Sequence, residues 1–551
     1  MITLVLAATR AKAQPHIVFF LADDYGFADI GYHVEAYGNS SNKIATPNLD
    51  ALSSTGIRLE NYYIQPVCSP TRATLLTGRY VFHHGVHVPF IDSSRSTLPL
   101  NETTLAQRLK SAGYATHAVG KWHLGFRSWN CTPTQRGFDS FFGFYAGSQD
   151  YYNHESLCWP GSVVNGCFEN TTSDGEAVTG LDFHKNKDVF NSTEYATTIY
   201  TTQAEKIIND HAAQYGIGNT KTTTGRVAMS KPLFLYLPHQ AVHVGNKPTQ
   251  LHPEYALDQA PQQYIDEYSW VADVDRRNLS AMVTVMDEAA GNVSAALIAA
   301  GMWKDTIFIF STDNGGPVNE GASNYPLQGG KASLWEGGVK GPGFVTGGDL
   351  ESLGFQNLPR VSFALHHISD WNPTLCDIVG GCPLTPKTSE DDSFAFDGVS
   401  QMGALMLGTN ASTESNRTEI VHDLCVAWMG GSCLEHLAKI WPHNTSWPSN
   451  AMYASILKDG WKLTVGNNKN VKGAAFTPEL YHIGLRDDVI DVGEQHDVAA
   501  SNAGKVAELM KSLNMHLVGA GVAHDRDPID PRSNPELHDG SWMPWLTEDE
   551  L

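Results

Sequence analysis

The stretch Cys68-Ser69-Pro70-Thr71-Arg72 sets a thiol and a guanidinium four residues apart, close to one helical turn. Pro70 suits a first helical position and Ser69 the cap before it, so the spacing predicts a helix that runs to Gly78 at its C-terminal end. Cys68 then lies at the positive pole, where unpaired amides and Arg72 offer donors to an oxyanion. The same residues also fit a buried or disulfide-bonded cysteine ahead of a helix. Hard oxygen ligands recur at two other places. Asp23 and Asp24 end the apolar run 16–22, and adjacent carboxylates repel unless a cation or solvent neutralises them. Alone they would read as a capped turn. Asp313-Asn314-Gly315-Gly316 ends a second apolar run, 306–312. Three carboxylates and a carboxamide, with no soft donor, suit Ca²⁺ or Mg²⁺. Lys121 and His123 follow a further candidate strand and share one side of it by its period of two, although a lone Lys-x-His is ordinarily surface decoration.

Elements that could position these groups are legible as short apolar runs bounded by turn residues. Residues 16–22, 232–237 and 306–312 read as strands buried on both faces of a largely parallel sheet. Residues 103–113 and 278–290 read as helices between them, which gives an α/β sandwich. Active sites in such sheets gather beyond the C-terminal strand ends, where Asp23, Asp24, Lys121 and Asp313 fall. Between about Cys382 and Arg417 the chain turns polar, and the domain junction is placed there. The expected division is residues 1–14 as a signal-peptide remnant, 15–400 as the catalytic domain and 401–551 as a smaller C-terminal domain and tail. In the latter, short strands flank Gly460 and a helix spans about 503–517.

Composition bounds the function. At 551 residues, 42% hydrophobic and 17% charged, the chain has the makings of a large domain and a smaller one. A formal charge of −22 argues against nucleic acid and against broad capture of polyanions, so an anionic substrate would need a local basic pocket. The 23 histidines could cancel that charge in acid, which is compatible with an endosomal or lysosomal setting. No run of 18 apolar residues exists to span a membrane. Residues 1–13 have a short apolar core and an Ala-x-Ala ending. Sequons at Asn39, Asn101, Asn130, Asn170, Asn191, Asn278, Asn292, Asn410, Asn416 and Asn444 point to the secretory pathway. The ending Glu548-Asp549-Glu550-Leu551 lacks the first residue of an ER-retrieval signal, so ER retention is not the expected destination.

The segment CSPTRATLLTGR, residues 68–79, resembles the signature of type I sulfatases, and LADDYG, GKWHLG and STDNGG resemble other motifs of that family in family order. The likeness runs from about Pro15 to about Ala500 and is strongest to the arylsulfatase B (N-acetylgalactosamine-4-sulfatase) branch. It implies an alkaline-phosphatase-like sandwich, a large mixed sheet flanked by helices, with a small C-terminal α+β domain built on an antiparallel sheet. Residues 479–488 resemble the strand and turn of that small domain. By the same likeness Cys68 is oxidised to formylglycine (3-oxoalanine) before folding, by a formylglycine-generating enzyme. Asp23, Asp24, Asp313 and Asn314 then bind Ca²⁺, with the hydrated aldehyde at 68 as a further ligand. Lys121 and His123 contact the sulfate and the hydrate. His243 protonates the leaving oxygen, with His239 the decoy in its segment. Lys331 is the second sulfate-binding lysine and Ser148 a polar site residue. With Arg72, these residue types gather positive charge around an ester that resists attack. One hydroxyl of the hydrate would attack sulfur, and the second would later expel sulfate as the aldehyde reforms, with His123 taking a proton.

Eight cysteines include Cys68. Cys158 and Cys167 flank a Pro/Gly loop and are expected to pair, while Cys376, Cys382, Cys425 and Cys433 could pair locally or across the domain boundary. Cys131 is left over. Its counterpart in the arylsulfatase B pattern has an upstream partner that residues 79–121 do not supply. The expected function is hydrolysis of aryl sulfates and of sulfated N-acetylgalactosamine in glycosaminoglycans, in the lysosome or outside the cell. The alternatives are a phosphoester or phosphonate hydrolase of the same superfamily, or a non-catalytic carbohydrate-binding glycoprotein should Cys68 stay unmodified.

Overall fold

A computed structural model describes residues 14–37, 44–158, 178–217, 231–246, 258–382, 395–406, 415–424, 451–467, 477–485, 490–517, 530–547 and 550. Its large sheet contains β1 (His16–Ala22), β2 (Ile57–Tyr63), β3 (Ala115–Lys121) and β4 (Ser140–Phe144). A separate two-stranded ribbon follows, β5 (Glu155–Cys158) with β6 (Val178–Leu181). The large sheet resumes with β7 (His184–Lys185), β8 (Asp188–Val189), β9 (Leu233–Pro238), β10 (Thr306–Thr312), β11 (Gly343–Thr346) and β12 (Arg360–His367). Its strand order is β12-β2-β11-β10-β1-β9-β3-β4-β7-β8. The centre is parallel, as expected: β10, β1, β9, β3 and β4 all run one way. The sheet as a whole is mixed, because β11 enters antiparallel between β10 and β2. The chain returns from β10 to β11 through the segment that carries Asp313 and Lys331, with two short helical turns, Val318–Glu320 and Glu336–Val339, on the way rather than a long crossover helix.

All seven residues of β1 are buried, and their alternation explains the sandwich. Val18, Phe20 and Ala22 face the layer that includes helices Ala196–Tyr215 and Val274–Ala299. Ile17, Phe19 and Leu21 face the opposite layer, which includes helices Cys68–Thr77, Leu105–Ser111 and Trp371–Ile378. A strand with apolar side chains on both faces has no solvent-compatible side, so it must lie at the centre. The helix expected over 278–290 is longer, Val274–Ala299, because Asp273 caps it upstream by accepting from the Arg276 amide.

The smaller sheet is an antiparallel meander of β13 (Glu419–Leu424), β14 (Ala451–Lys458), β15 (Trp461–Asn467) and β16 (Thr477–His482), with helix Ala503–Leu517 packed on it. Its core also takes Tyr80, Val81 and Phe82 from just beyond Gly78. Conversely, the tail after 530 returns to the large domain. Trp542 and Trp545 join its core, and the Trp542 indole donates to the Ser156 carbonyl at 3.1 Å. Cys376 and Cys382 are joined in a local disulfide, and Cys131 is a buried free thiol. Cys167, Cys425, Cys433 and the side chain of Cys158 lie outside the described residues, as do residues 1–13.

Candidate active site

The chemistry-bearing residues converge at the C-terminal edge of the parallel strands. Asp23 and Asp24 follow β1, Lys121 ends β3, His239 and His243 follow β9, and Asp313 and Asn314 follow β10. Backbone hydrogen bonds knit these ends together: the Asp313 amide donates to the Ala22 carbonyl (3.0 Å), and the Val242 amide donates to Asp23 (2.7 Å). Asp24 and His123 both adopt positive φ, 59° and 51°, which turns the chain sharply where each strand stops.

The helix that delivers Cys68 differs at its start from the sequence expectation. It spans Cys68–Thr77 after an extended Val67, and Ser69 is inside it rather than capping it. The Ser69 hydroxyl instead donates to the His123 carbonyl (2.8 Å) and accepts from the Phe90 amide (3.2 Å). A tertiary partner has outbid the local cap. Gly78 closes the helix in a left-handed conformation, φ 73°, as its position predicted.

Arg72 is fully buried, and its guanidinium donates to protein acceptors. Its Nε and Nη2 donate to Asp313 Oδ2 at 3.1 and 2.8 Å, Nη2 also to Asp23 Oδ2 at 3.1 Å, and Nη1 to the Lys121 carbonyl at 3.0 Å. The sequence placed Arg72 as a direct donor to the anion; here it binds the carboxylates and orients them. Lys121 Nζ donates to Asp23 Oδ2 (2.5 Å), and Lys331 Nζ to Asp24 Oδ2 (2.7 Å). Three carboxylates thus meet three cations in a region closed to solvent.

Protonation follows from that crowding. Burial alone would raise the Asp24 carboxyl, but Lys331, His243 and the Asn314 amide outweigh it and hold it below its ordinary value. Asp313 is raised by burial and by Asp23, against Arg72 and Lys121. Burial pushes the Cys68 thiol far up, so little thiolate exists near neutral pH and the unmodified cysteine is a poor nucleophile. His243 is held well below 6.5 by burial and Lys331, and His123 by burial and Lys121.

A hard cation fits this donor set. Ligand atoms of Asp23, Asp24, Cys68 and His243 all lie within 4.8 Å of one another. Cys68 Sγ is 3.7 Å from Asp23 Oδ1, and His243 Nε2 is 3.6 Å from Asp24 Oδ2. Asn314 Nδ2 donates to Asp24 Oδ1 (2.6 Å), which leaves its carbonyl oxygen buried with no partner. Such an unpartnered acceptor beside carboxylates suits a cation ligand. His239 is a core residue as anticipated: its ring stacks on Phe20 at 4.8 Å and burial lowers it to about 3.

Ser148 is half-buried, and its carbonyl accepts from the Ser156 hydroxyl. Its neighbour Gly147 comes closer to the site, since a Cβ there would stand 2.9 Å from His123 Nε2. Sequence reasoning missed two carboxylates behind this corner. Asp182 accepts from the Tyr145 and Ala146 amides (3.0 and 2.8 Å), and Asp92, raised to about 8 by burial and Asp182, accepts from the Gly147 amide at 3.4 Å. A single aspartate in a loop has no spacing to betray it.

Buried carboxylates able to hold a hard cation, flanked by two lysines and two histidines at the mouth of an α/β sheet, define a hydrolase for esters of tetrahedral anions. Comparison narrows the class: the family model described as Sulfatase matches residues 15–381, and the chain belongs to the sulfatase family. It is 34% identical to arylsulfatase J of Mus musculus over 98% of this chain and 82% of that protein. It is also 25% identical to human N-acetylgalactosamine-6-sulfatase, over 98% of this chain and 91% of that one. The solved structure of Ps i-CgsB shares the fold with a TM-score of 0.69 at 22% identity, covering 96% of this chain and 98% of its own. The alkaline-phosphatase-like sulfatase fold is therefore as expected. At branch level the relative at 34% identity is an arylsulfatase J, where the motifs had pointed to arylsulfatase B. The protein is a sulfuric ester hydrolase.

Arg72→Ala should leave Asp23 and Asp313 facing each other without their shared counter-charge, a loss of about 3–5 kcal/mol for a broken buried pair. The expected result is a lowered melting midpoint together with lost turnover. An unchanged midpoint would show that the carboxylates do not need the guanidinium.

Proposed function

We propose that this sulfatase acts through formylglycine at position 68 and a Ca²⁺ held by Asp23, Asp24, Asp313 and Asn314. The observation that carries the reading is the buried Cys68 thiol, 3.7 Å from Asp23 and too poorly ionised to serve as it stands. When in place, the hydrated aldehyde would supply a hydroxyl nucleophile and the cation a Lewis acid for the sulfate oxygens. Lys121 and Lys331 provide ammonium groups for the same sulfate. Each holds an aspartate oxygen for which a divalent cation competes, so cation and anion sites are coupled through the two lysines. Arg72 keeps Asp23 and Asp313 in register for the cation. His243 is neutral in the free site, its Nδ1 bonded to the Val244 carbonyl at 2.7 Å. A bound sulfate monoanion near Nε2 raises its proton affinity and lets it serve as acid to the leaving alcohol. His123, tied through Nε2 to the Phe90 carbonyl, keeps Nδ1 unpartnered for the product-releasing proton transfer. Ser148 is assigned to the substrate rim.

The substrates proposed are aryl sulfates and terminal N-acetylgalactosamine 4-sulfate of glycosaminoglycans. The chain's likeness to arylsulfatases and to an N-acetylgalactosamine-6-sulfatase supports the sugar class, though not the sulfate position. A secretory route, to the lysosome or the exterior, with a formylglycine-generating enzyme as maturation partner, is supported by the Cys376–Cys382 bond and by exposed sequon asparagines at 101, 191, 292 and 416. Among the described residues no helix is long and apolar enough to cross a membrane.

Mass measurement of the peptide carrying residue 68, from protein made in a eukaryotic secretory host, should show the aldehyde or its hydrate; intact cysteine in fully active enzyme would overturn the assignment. Cys68→Ala should abolish turnover while the unfolding free energy stays within about 1 kcal/mol of the parent, since little volume is lost.

Thorough chelation, or Asp313→Ala, should remove activity, with Ca²⁺ restoring the chelated enzyme alone. Full rate in metal-free protein would end the cation reading.

A chromogenic aryl sulfate and N-acetylgalactosamine 4-sulfate should both be hydrolysed, with an optimum on the acidic side of neutrality, where net repulsion of an anionic substrate is reduced. A matched phosphate monoester turned over faster than either would favour the phosphohydrolase alternative. Reaction of the aryl sulfate alone would keep the class and remove the sugar.

A further inference from the structure

The loop that carries Lys331 is held from behind by a buried ion cluster that no motif announces. Glu336 opens the short helix Glu336–Val339, five residues beyond Lys331. Its Oε1 accepts from Lys462 Nζ at 2.9 Å and its Oε2 from the Tyr63 hydroxyl at 2.8 Å. Lys462 Nζ also lies 3.0 Å from Glu494 Oε1, and Glu494 Oε2 accepts the Glu336 backbone amide at 2.6 Å. Relative exposure is 0% for Glu336 and Lys462 and 2% for Glu494. Lys462, on β15, and Glu494, in the turn beyond β16, come from the C-terminal part of the chain, whereas Tyr63 ends β2 of the large sheet.

The Lys331 loop is tied to this cluster at one end and to the segment after Asn314 at the other. At the near end the Gln328 amide nitrogen, in the orientation its neighbours require, donates to the Glu494 and Gly493 carbonyls at 2.9 Å each. At the far end the Gly338 carbonyl accepts from the Gly315 amide at 3.0 Å, one residue past Asn314. Between them the Lys331 amide reaches the Gly316 carbonyl (3.4 Å) and the Ala332 amide the Pro66 carbonyl (2.6 Å). A shift of Glu336 is therefore felt by the loop whose lysine sits on Asp24.

Two carboxylates share one ammonium, which leaves a buried negative charge in excess. The groups around it do not cancel it. The Tyr63 and Tyr481 phenols are pushed up by burial and stay neutral, and His422, its ring 5.4 Å from that of Tyr63, is held neutral by burial and Lys462. Glu60 faces Tyr63 and adds negative charge, while the Lys340 ammonium lies 5.8 Å from the Tyr63 ring and points to Asn61. On Glu494's own turn, the Glu494 amide donates to the Asp491 carbonyl, and the Asp491 carboxylate accepts the Gln495 and His496 amides. Asp497 accepts the Leu480 amide. One proton on the glutamate pair balances the cluster.

We propose that Glu336, Lys462 and Glu494 form a proton-dependent clamp through which the C-terminal domain positions the Lys331 loop, closed while Glu494 is protonated and loosened when it ionises. These are positioning residues, and the consequence for catalysis rests on the assignment of Lys331 to the sulfate. Burial, opposed by Lys462 and reinforced by Glu336, places Glu494 at about 7, above its ordinary 4.5. A raised acid stabilises the fold fully below its unfolded value, so this contribution declines as pH rises from about 4.5 and is gone above about 7.

The test uses full-length enzyme and follows KM, kcat and melting midpoint with a chromogenic aryl sulfate across that range. In the parent, the midpoint should fall and KM should rise roughly two- to tenfold as pH passes the Glu494 value, a typical size for coupling through a packed network. Glu494→Gln cannot titrate and should lose both steps. Tyr63→Phe removes a donor from ionised Glu336, so both steps should move to higher pH. A folded Glu494→Gln that retains the parental steps overturns the clamp. Should that variant fail to fold, an unmoved step in Tyr63→Phe overturns it equally. A melting step with flat KM refutes the positioning of Lys331. Absence of turnover on every sulfate ester in the parent would defeat the functional reading instead, and the melting comparison would still decide the clamp.

Discussion

Arg72 stands where the protein can least tolerate an error, between Asp23 and Asp313 with no solvent to share the load. Charges taken out of water are costly unless paired, and each partner here arrives on a different element. Asp23 comes from the end of β1, Asp313 from β10, Lys121 from β3, and Arg72 from the helix after β2. The parallel registry of the central strands is what brings those ends level. Pairing of charge and pairing of strands are thus one constraint expressed twice: a slip of one residue in β1 against β10 would separate Asp23 from Asp313 and strand both carboxylates.

Much of this was legible in the sequence, and for a physical reason. A strand buried on both faces must be written in continuous apolar residues, so β1, β9 and β10 could be read within a residue of their observed ends. Hard ligands that follow such a run must sit at its C-terminal edge, which located the site before any geometry. What the sequence did not disclose is the direction of side chains with rival partners. Ser69 has good capping chemistry, yet the His123 carbonyl takes its hydroxyl. Arg72 could address an anion or a carboxylate, and only the closeness of Asp23 and Asp313 decides between them. The antiparallel entry of β11 was equally hidden, because four residues of strand carry no mark of orientation.

The polar stretch from which a domain boundary was read is bridged by packing that joins the two sheets. Tyr80, Val81 and Phe82 serve the small domain's core, while Trp542 and Trp545 serve the large one's. Contacts so distant in sequence leave no local pattern. The Glu336, Lys462 and Glu494 cluster belongs to the same category: each residue by itself looks like a surface charge, and only the three together, fully enclosed, acquire a role.

The burial of Cys68 also sets a clock. Its helix is sealed by groups that appear much later in the chain: Asp313 lies 241 residues beyond Arg72, and Asn372, whose amide nitrogen donates to the Leu76 carbonyl, lies 296 residues beyond Leu76. At synthesis rates of about 5–20 residues per second, those seals are made roughly ten seconds to a minute after the Cys68 segment. For that interval the segment has no native lid, and afterwards the side chain is only 2% exposed. Any enzyme that had to reach this sulfur would work on the nascent chain, against the arrival of strand β10.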